Sequence, residues 1–404
     1  MAFVVFYALA MFGVFVALIT PPVMTLALRV AEVAPNNKES VLSLVLGLGA
    51  LISILTNPVA GLLSDRTTSR MGMRKPWILV GLAVGVLGLY LICIGGVALV
   101  VVGWCVTQLG FNFVVPTILA ILPDQIPERW HGRVSGVLNV CLQVGVVAGV
   151  FVAQAVTPNM TAMFMVPAAM AVVLVLLFTA MLKDRTRDPV DVKPMDLKGF
   201  FQSMWVSPKT APDFWWAFVS RFLFFMGLAT LMSYQVFYLL DKLHLAPSAI
   251  PETMLKSTLV TTATTILGSL GGGWLSDSTG RRKIFVVVSA VVYAGGLAII
   301  GAAPTMNLFL WGIAVCGLGQ GVYLAVDLAL VAEVLPDKTD GAAKDMGLFS
   351  LANNLPQTIA PAVAPLFLTI AAVNGAANYT SLFVVAALFA AGGALALAPL
   401  KGVK

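Results

Sequence analysis

The chain has 404 residues, of which 59% are hydrophobic and only 10% charged, and its net charge is +6. A soluble protein carries about 25% charged residues, so this composition argues against a soluble globular protein and indicates a chain surrounded by lipid. In a membrane protein a positive charge usually reflects the basic loops that set orientation, so nucleic acid is not expected as a partner.

Twelve apolar segments, each bounded by charged residues, Pro or Gly, follow one another along the chain. They cover residues 3–31, 41–63, 77–97, 99–122, 134–157, 161–182, 214–240, 254–276, 283–302, 306–335, 345–371 and 378–399. Segments of this length can cross a bilayer, where backbone groups must be paired within their own segment. The sequence therefore predicts an all-α membrane protein with twelve transmembrane helices. The first segment has no basic flank or cleavage site and is predicted to be a retained span.

The distribution of basic residues predicts the orientation. The loops after segments 2, 4, 6, 8 and 10, together with the C-terminal tail, hold 19 of the 24 Lys and Arg residues. Cytoplasmic loops are enriched in Lys and Arg, so these loops are predicted to be cytoplasmic. Both termini then lie in the cytoplasm, and we expect a multi-pass protein of the inner or plasma membrane.

Two short sequences recur at nearly one offset, close to half the chain length. Gly-Leu-Leu-Ser-Asp at 61–65 recurs 212 residues later as Gly-Trp-Leu-Ser-Asp at 273–277. Leu-Pro-Asp at 122–124 recurs 213 residues later at 335–337. The repeat predicts two pseudo-symmetric six-helix bundles in parallel topology, with the solute held between them near the middle of the membrane.

Three regions follow from this division. The N-terminal bundle is predicted over residues 1–183 and the C-terminal bundle over 214–404, joined by a cytoplasmic linker at 184–213. Within the linker, apolar residues between 197 and 205 recur with helical spacing, which predicts a short amphipathic helix. Such a helix lies either on the membrane interface or against the protein itself.

The repeated loops are candidate gates. Gly61 permits close helix approach, Gly72 permits a sharp reversal, and the Asp65 carboxylate can accept bonds from Arg or from a helix N-terminus. Such bonds would hold the cytoplasmic side closed in one conformation. The alternative is a basic loop that only sets orientation, and two copies at matched positions favour a gate. The predicted gating residues are Gly61, Asp65, Arg66, Arg70, Gly72, Arg74, Gly273, Asp277, Gly280, Arg281, Arg282 and Glu333.

These loops resemble the signature loop of the major facilitator superfamily. The second copy, Gly-Trp-Leu-Ser-Asp-Ser-Thr-Gly-Arg-Arg-Lys at 273–283, has the usual spacing of that signature. The first copy is longer and ends in Arg-Lys-Pro-Trp at 74–77, which is similar to the sucrose-transporter-like and glycoside–pentoside–hexuronide symporter branches. The resemblance implies a transporter with gating roles for the matched residues, which are Asp65, Arg66, Arg70, Asp277, Arg281 and Arg282.

Two charges deep within the apolar segments are functional candidates, because charge at membrane depth is costly. Arg221 lies about seven residues from the predicted cytoplasmic end of segment 7, which is its start. Asp327 lies about eight residues from the predicted cytoplasmic end of segment 10, which is its finish. At 1.5 Å per residue both lie roughly 10–12 Å deep and are expected to meet as an ion pair. Either Asp327 binds a proton or a solute group with Arg221 as its counter-charge, or the pair is a conformational latch. Arg29 is expected to reach the outer interface.

Uncharged polar side chains also gather at mid-depth, where amides and phenols suit a hydroxyl-rich solute. For each one separately, the alternative is a hydrogen bond between helices. Trp104 is a candidate for stacking on a sugar. The predicted substrate-binding residues are Gln108, Asn112, Asn139, Gln143, Arg221, Tyr234, Gln235, Gln320, Tyr323, Asn353, Asn354 and Gln357.

The favoured function is a secondary transporter working by alternating access, a proton-coupled symporter of a sugar or glycoside with Asp327 as the coupling residue. The alternative is an exporter of amphiphilic or drug-like compounds, for which the Met and Phe content would supply an adaptable cavity. The apolar segments contain no Ser/His/Asp set, metal cluster or phosphate loop, so neither an enzyme nor a cofactor or metal is expected. The expected partners are a small solute, H⁺ and the lipid bilayer, with a functional monomer.

Overall fold

The computed structural model describes residues 2–186, 211–334, 342–370, 372 and 377–400. Within this part of the chain the long elements are all helices. In chain order they are α1 (Ala2–Thr20), a π-helical turn (Pro21–Thr25), α2 (Leu26–Val33), α3 (Lys38–Asp65), α4 (Lys75–Ile94), α5 (Val97–Leu119), α6 (Ile121–Gln125), α7 (Glu128–Ala155), α8 (Met160–Met181), α9 (Pro212–Asp241), α10 (Ile250–Thr279), α11 (Arg282–Ala302), α12 (Met306–Val334), α13 (Ala342–Leu368) and α14 (Tyr379–Ala396). They account for the twelve predicted spans, since α1, the π turn and α2 form the first and α5 with α6 the fourth.

Ten spans in the described residues are both long and apolar enough to cross a membrane. The two remaining long helices, α10 and α13, are more polar, since α10 is rich in Thr and Ser and α13 contains Ser, Asn, Gln and Thr residues in its middle. Polar residues within a membrane helix normally face protein or a water-filled cavity. The chain is therefore an all-α, multi-pass membrane protein in which α10 and α13 are the spans most suited to polar contacts.

Two compact units divide the described residues. The N-terminal unit contains those between 1 and 194 together with 246–255, and the C-terminal unit contains those between 195 and 245 together with 256–404. In the C-terminal unit α9 is the most enclosed span, with 78% of its most apolar window buried against 28–50% for the other nine spans. The boundary predicted at 184–213 lies mostly outside the described residues.

Backbone adjustments in the N-terminal unit follow from its prolines and glycines. Pro21 and Pro22 cannot donate backbone bonds, and the helix widens there so that the amide of Leu26 donates to the carbonyl of Pro21. Between α4 and α5 the backbones touch, because a Cβ at Gly88 would lie 2.3 Å from the amide nitrogen of Thr107. This contact requires glycine.

A proline in α13 creates an acceptor that α9 uses. Pro365 has no N–H, so the carbonyl of Pro361, four residues earlier, lacks its usual helical donor. The hydroxyl of Tyr234 in α9 donates to that carbonyl at 3.3 Å, and Tyr234 is fully buried. α13 remains one continuous helix despite its three prolines, and the Tyr234 bond joins it to α9.

Two basic side chains related by the repeat close helix ends in both units. Arg29 donates to the carbonyls of Ile92, Cys93 and Gly95 at the end of α4, at 2.9–3.1 Å. Lys242, 213 residues later, donates to the carbonyl of Gly301 at the end of α11 and to Thr380. Cations are favourable at helix C-termini, where carbonyls lack partners. Arg29 thus has a specific structural role at the end of α4.

Candidate functional site

The two charges predicted to meet at membrane depth form an ion pair inside the C-terminal unit. Nη1 of Arg221 on α9 lies 2.6 Å from Oδ2 of Asp327 on α12. Only 7% of Arg221 and 3% of Asp327 are exposed. A buried pair of this kind is neutral as a whole, whereas either charge alone would be strongly unfavourable there.

Further polar and aromatic groups surround this pair. Nε of Arg221 donates to Oδ1 of Asn353 on α13 at 2.5 Å, and its guanidinium lies over the ring of Phe349 at 5.0 Å. Tyr323 precedes Asp327 by one turn, and its hydroxyl is buried without a hydrogen-bond partner among the described residues. Its ring stacks on Phe224 with centroids 3.7 Å apart. The site therefore joins α9, α12 and α13.

The pair has no counterpart in the first half of the chain. At the repeat offset of 212 or 213, Arg221 corresponds to Leu9 or Ala8, and Asp327 corresponds to Val115 or Val114. All four positions are apolar. A charged pair that appears in one half only is not required by the six-helix architecture, which favours a functional role for it.

The other predicted polar residues of the C-terminal unit divide into two groups. Tyr234 is bonded to α13, and Nε2 of Gln235 donates to Oγ of Ser257 on α10 at 2.8 Å. Both side chains therefore make hydrogen bonds between helices, which is the alternative to solute binding given above for each polar residue. Three others remain accessible, since Gln320 and Asn354 are half-buried and Gln357 is exposed.

In the N-terminal unit, one predicted pair belongs to a hydrogen-bond chain between α3 and α5. Nδ2 of Asn112 donates to the backbone and side-chain oxygens of Gln108, while Ser53 donates to Oδ1 of Asn112 at 2.8 Å. Asn57 extends the chain by donating to Ser53. Neither Ser53 nor Asn57 is among the residues predicted from the sequence, although each lies on the polar face of an apolar segment.

Other predicted positions of this unit differ in accessibility. Asn139 is exposed and Gln143 half-buried on α7. Trp104 is 1% exposed and packs over Gly49, where an added Cβ would lie 2.3 Å from the indole nitrogen. The expectation that Trp104 stacks on a solute is therefore wrong for this conformation, because neighbouring helices cover its ring.

The centre of the first predicted gate is Arg74. Its Nη2 lies 2.6 Å from Oδ1 of Asp65 and 3.0 Å from Oδ2 of Asp124, and its Nη1 donates to Oγ of Ser64 at 2.6 Å. Arg74 is 5% exposed, whereas Asp65 is 53% exposed. The repeated Leu-Pro-Asp sequence thus supplies Asp124 as the second carboxylate, a role that the sequence analysis did not assign.

A further carboxylate holds the same loop to the end of α8. Oδ2 of Asp184 accepts bonds from the backbone amides of Arg74 and Lys75, both at 2.7 Å, at the start of α4. A carboxylate is favourable at a helix N-terminus. Gly72 has φ of 103°, and a Cβ there would lie 2.3 Å from Asp184. The predicted reversal at Gly72 is confirmed, and the contact with Asp184 gives a second reason for glycine.

Gly61, predicted to permit close helix approach, makes no close helix contact in this conformation. A Cβ at Gly61 would meet no atom within 4 Å, and one at Gly273 would make only an ordinary 3.8 Å contact. In this conformation the surface beside each glycine is open within its own unit, so neither residue is needed for packing there.

The second loop shares the left-handed glycine of the first. Gly280 has φ of 64°, and Asp277 and Arg281 are exposed, while Arg282 is half-buried. Lys283 donates to the carbonyls of Ala398 and Leu400 after α14. The side chain of Glu333, the sequence at 335–337 and the predicted amphipathic helix lie outside the described residues. Of the remaining gate residues, Arg66 is half-buried and Arg70 exposed.

Comparison with known proteins gives a consistent result over the whole chain. A family model described as Major Facilitator Superfamily matches residues 1–263 and 250–403. A stretch of 76 residues is 33% identical to "Probable polyol transporter 4" of Arabidopsis thaliana, and 80 residues are 29% identical to "Galactose-proton symporter" of Escherichia coli K12. These stretches cover 19% and 20% of this chain but only 14% and 17% of those relatives.

Solved structures share the fold at low sequence identity. The chain aligns with the nucleoside transporter NupG at a TM-score of 0.77 and 14% identity, covering 100% of both chains. It aligns with a bacterial homologue of the human lysosomal transporter Spinster at a TM-score of 0.70 and 12% identity, covering 98% of this chain and 95% of that one. At such identities the likeness concerns the fold alone.

Proposed function

Because this chain belongs to the major facilitator superfamily, we propose that it is a secondary transporter that moves a small sugar, polyol or glycoside together with a proton by alternating access. It is a membrane transporter and not an enzyme. The observation that carries the finer proposal is the buried ion pair between Arg221 and Asp327.

The ion pair offers a physical basis for coupling. When Asp327 accepts a proton, Arg221 loses its counter-charge, and only neutral oxygens, those of the protonated Asp327 carboxyl and of the Asn353 amide, remain as its close partners among the described residues. A cation left in this state is unfavourable at membrane depth. Protonation therefore makes the observed arrangement of the site less stable than a rearranged one. A solute that supplies hydroxyl groups to Arg221 and Asn353 stabilises the rearranged state.

Accessible amides supply candidate solute contacts. In the C-terminal unit these are the side chains of Gln320, Asn353, Asn354 and Gln357, and in the N-terminal unit those of Asn139 and Gln143. Amides pair with hydroxyls as both donors and acceptors and carry no charge. The names of the relatives, polyol transporter and galactose–proton symporter, agree with a polyhydroxylated solute.

The same proposal includes orientation and gating. The ends of the units that carry Arg74 and Lys283 face the cytoplasm, as the count of basic residues predicts, and both termini lie there in an inner or plasma membrane. The network of Asp65, Arg74 and Asp124 acts as part of the cytoplasmic gate. One chain is sufficient for transport.

A second candidate is export of amphiphilic compounds. The observation in its favour is an apolar groove of about 520 Å³ between α1 and α7. It is lined by Val4, Val5, Ala8, Leu9, Phe12, Val137, Val140, Cys141 and Val144. A groove without polar lining suits an amphiphile better than a sugar.

Proteoliposomes test these two functions. In weakly buffered vesicles, galactose or sorbitol added outside is expected to make the external medium alkaline, because each solute molecule enters with a proton. Protein-free vesicles are the control. Proton-linked extrusion of a lipophilic dye, with no alkalinisation by any sugar or polyol, would reject the symporter and favour the exporter.

A further inference from the structure

A cavity of about 660 Å³ lies at the basic end of the N-terminal unit, and neither residue of the Arg221–Asp327 pair lines it. It forms where the loop after α3 meets the end of α8. Its lining residues are Arg70, Met71, Gly72, Lys75, Ala180, Met181, Leu182, Lys183 and Asp184. The ion pair and the proposed solute contacts use none of these residues, although Arg70 and Gly72 belong to the loop of the predicted gate.

The lining has an excess of positive charge. Arg70, Lys75 and Lys183 contribute three cations, and Asp184 contributes one anion. The carboxylate oxygen Oδ2 of Asp184 is already engaged by the backbone amides at the start of α4. Arg70 and Lys183 are exposed, so their charged groups can reach a ligand. This chemistry selects an anion such as a phosphate group.

An apolar wall adjoins the cations. Met71 is 56% exposed and Met181 is 44% exposed, although both are large hydrophobic residues. Leu177, one turn before Met181 on α8, is 48% exposed, so the apolar surface continues along the helix. A free phosphate ion makes no favourable contact with such an apolar wall. An amphiphile with an anionic head and an acyl chain can contact both the cations and the wall.

We propose that this cavity binds the headgroup of an anionic phospholipid. The phosphate lies among Arg70, Lys75 and Lys183, and an acyl chain runs along Met181 and Leu177. Basic pockets at the ends of membrane helices attract anionic lipids in this way. The proposal does not depend on the transported solute or on proton coupling.

Lipid titration of the delipidated, detergent-solubilised protein tests the proposal. Thermal unfolding is followed as dioleoyl phosphatidylglycerol is added, with dioleoyl phosphatidylcholine and inorganic phosphate as separate arms. The variant Arg70→Gln/Lys183→Gln is compared with Arg129→Gln/Arg133→Gln, which removes two exposed basic side chains of the same unit outside the cavity. The single variants Arg70→Gln and Lys183→Gln are measured as well.

Phosphatidylglycerol is expected to stabilise the protein where the other two additions do not. Each removed cavity cation is expected to weaken its apparent affinity about fivefold, or roughly 25-fold for the double variant. The control pair is expected to change it less than twofold. Equal weakening in both double variants, or equal stabilisation by the two lipids, would overturn the proposal. If inorganic phosphate stabilises the protein as much as phosphatidylglycerol does, the lipid proposal is wrong and the cavity is a site for a soluble anion.

Discussion

Replacing Asp327 by Asn removes the carboxylate from the buried ion pair while keeping nearly the same volume. If Asp327 carries the coupled proton, this variant loses accumulation but keeps passive exchange of solute. The wild type in a membrane at 100 mV can use about 2.3 kcal/mol per transported charge. Since each 1.4 kcal/mol is a factor of ten, the limit for one proton per neutral solute is roughly 40-fold accumulation. The variant is expected to equilibrate near a ratio of one.

The measurement uses proteoliposomes with an imposed inside-negative potential and radiolabelled solute. Counterflow, in which unlabelled internal solute drives entry of labelled solute, shows whether the variant still binds and moves the solute. Retained counterflow together with lost accumulation is the expected outcome. A variant that accumulates solute to the wild-type ratio would refute the coupling role of Asp327.

Stability supplies an internal control for the same site. Breaking a buried pair by removing one partner typically costs about 3–5 kcal/mol, because the remaining charge is uncompensated. The bond from Arg221 to Asn353 persists in Asp327→Asn, so we expect the lower end of that range. The double variant Arg221→Gln/Asp327→Asn leaves no charge and is expected to recover most of the loss. If the double variant is no more stable than Asp327→Asn, the charge argument fails.

Three further outcomes are expected. Asp65→Asn weakens the loop network and shifts the protein toward the cytoplasm-open state, and unchanged reactivity of engineered cysteines from both sides would argue against a gate. Gly72→Ala is expected to lower the free energy of unfolding by about 3 kcal/mol, because the new Cβ clashes with Asp184 and the backbone there is left-handed. Gly280→Ala has the backbone strain but no atom near its Cβ, so it is expected to lose only about 1 kcal/mol. Chemical unfolding measures both. Arg29→Gln and Lys242→Gln each lower the melting temperature by a similar amount, since each removes a cation from a helix C-terminus, and a large effect at one position alone would contradict their equivalence.

Much of the architecture was accessible from sequence because lipid imposes strict rules. Long apolar segments must be helices, and recurrence of the Asp65 loop at Asp277 indicates two related bundles from sequence alone. Arg221 and Asp327 were identified for the same reason, since charges at that depth are rare, and depth along each helix was sufficient to predict that they meet.

Tertiary structure alone decided which polar groups are already satisfied. Sequence spacing reports the face on which a side chain lies, but not the neighbouring helix or its register. It therefore predicts Tyr234 and Trp104 as solute contacts, although packing encloses both. Register also made Arg74 the centre of a network with Asp124, and it placed Gly61 beside open space. These outcomes depend on where two helices cross, which is set by side chains distant in sequence and therefore has no local signal.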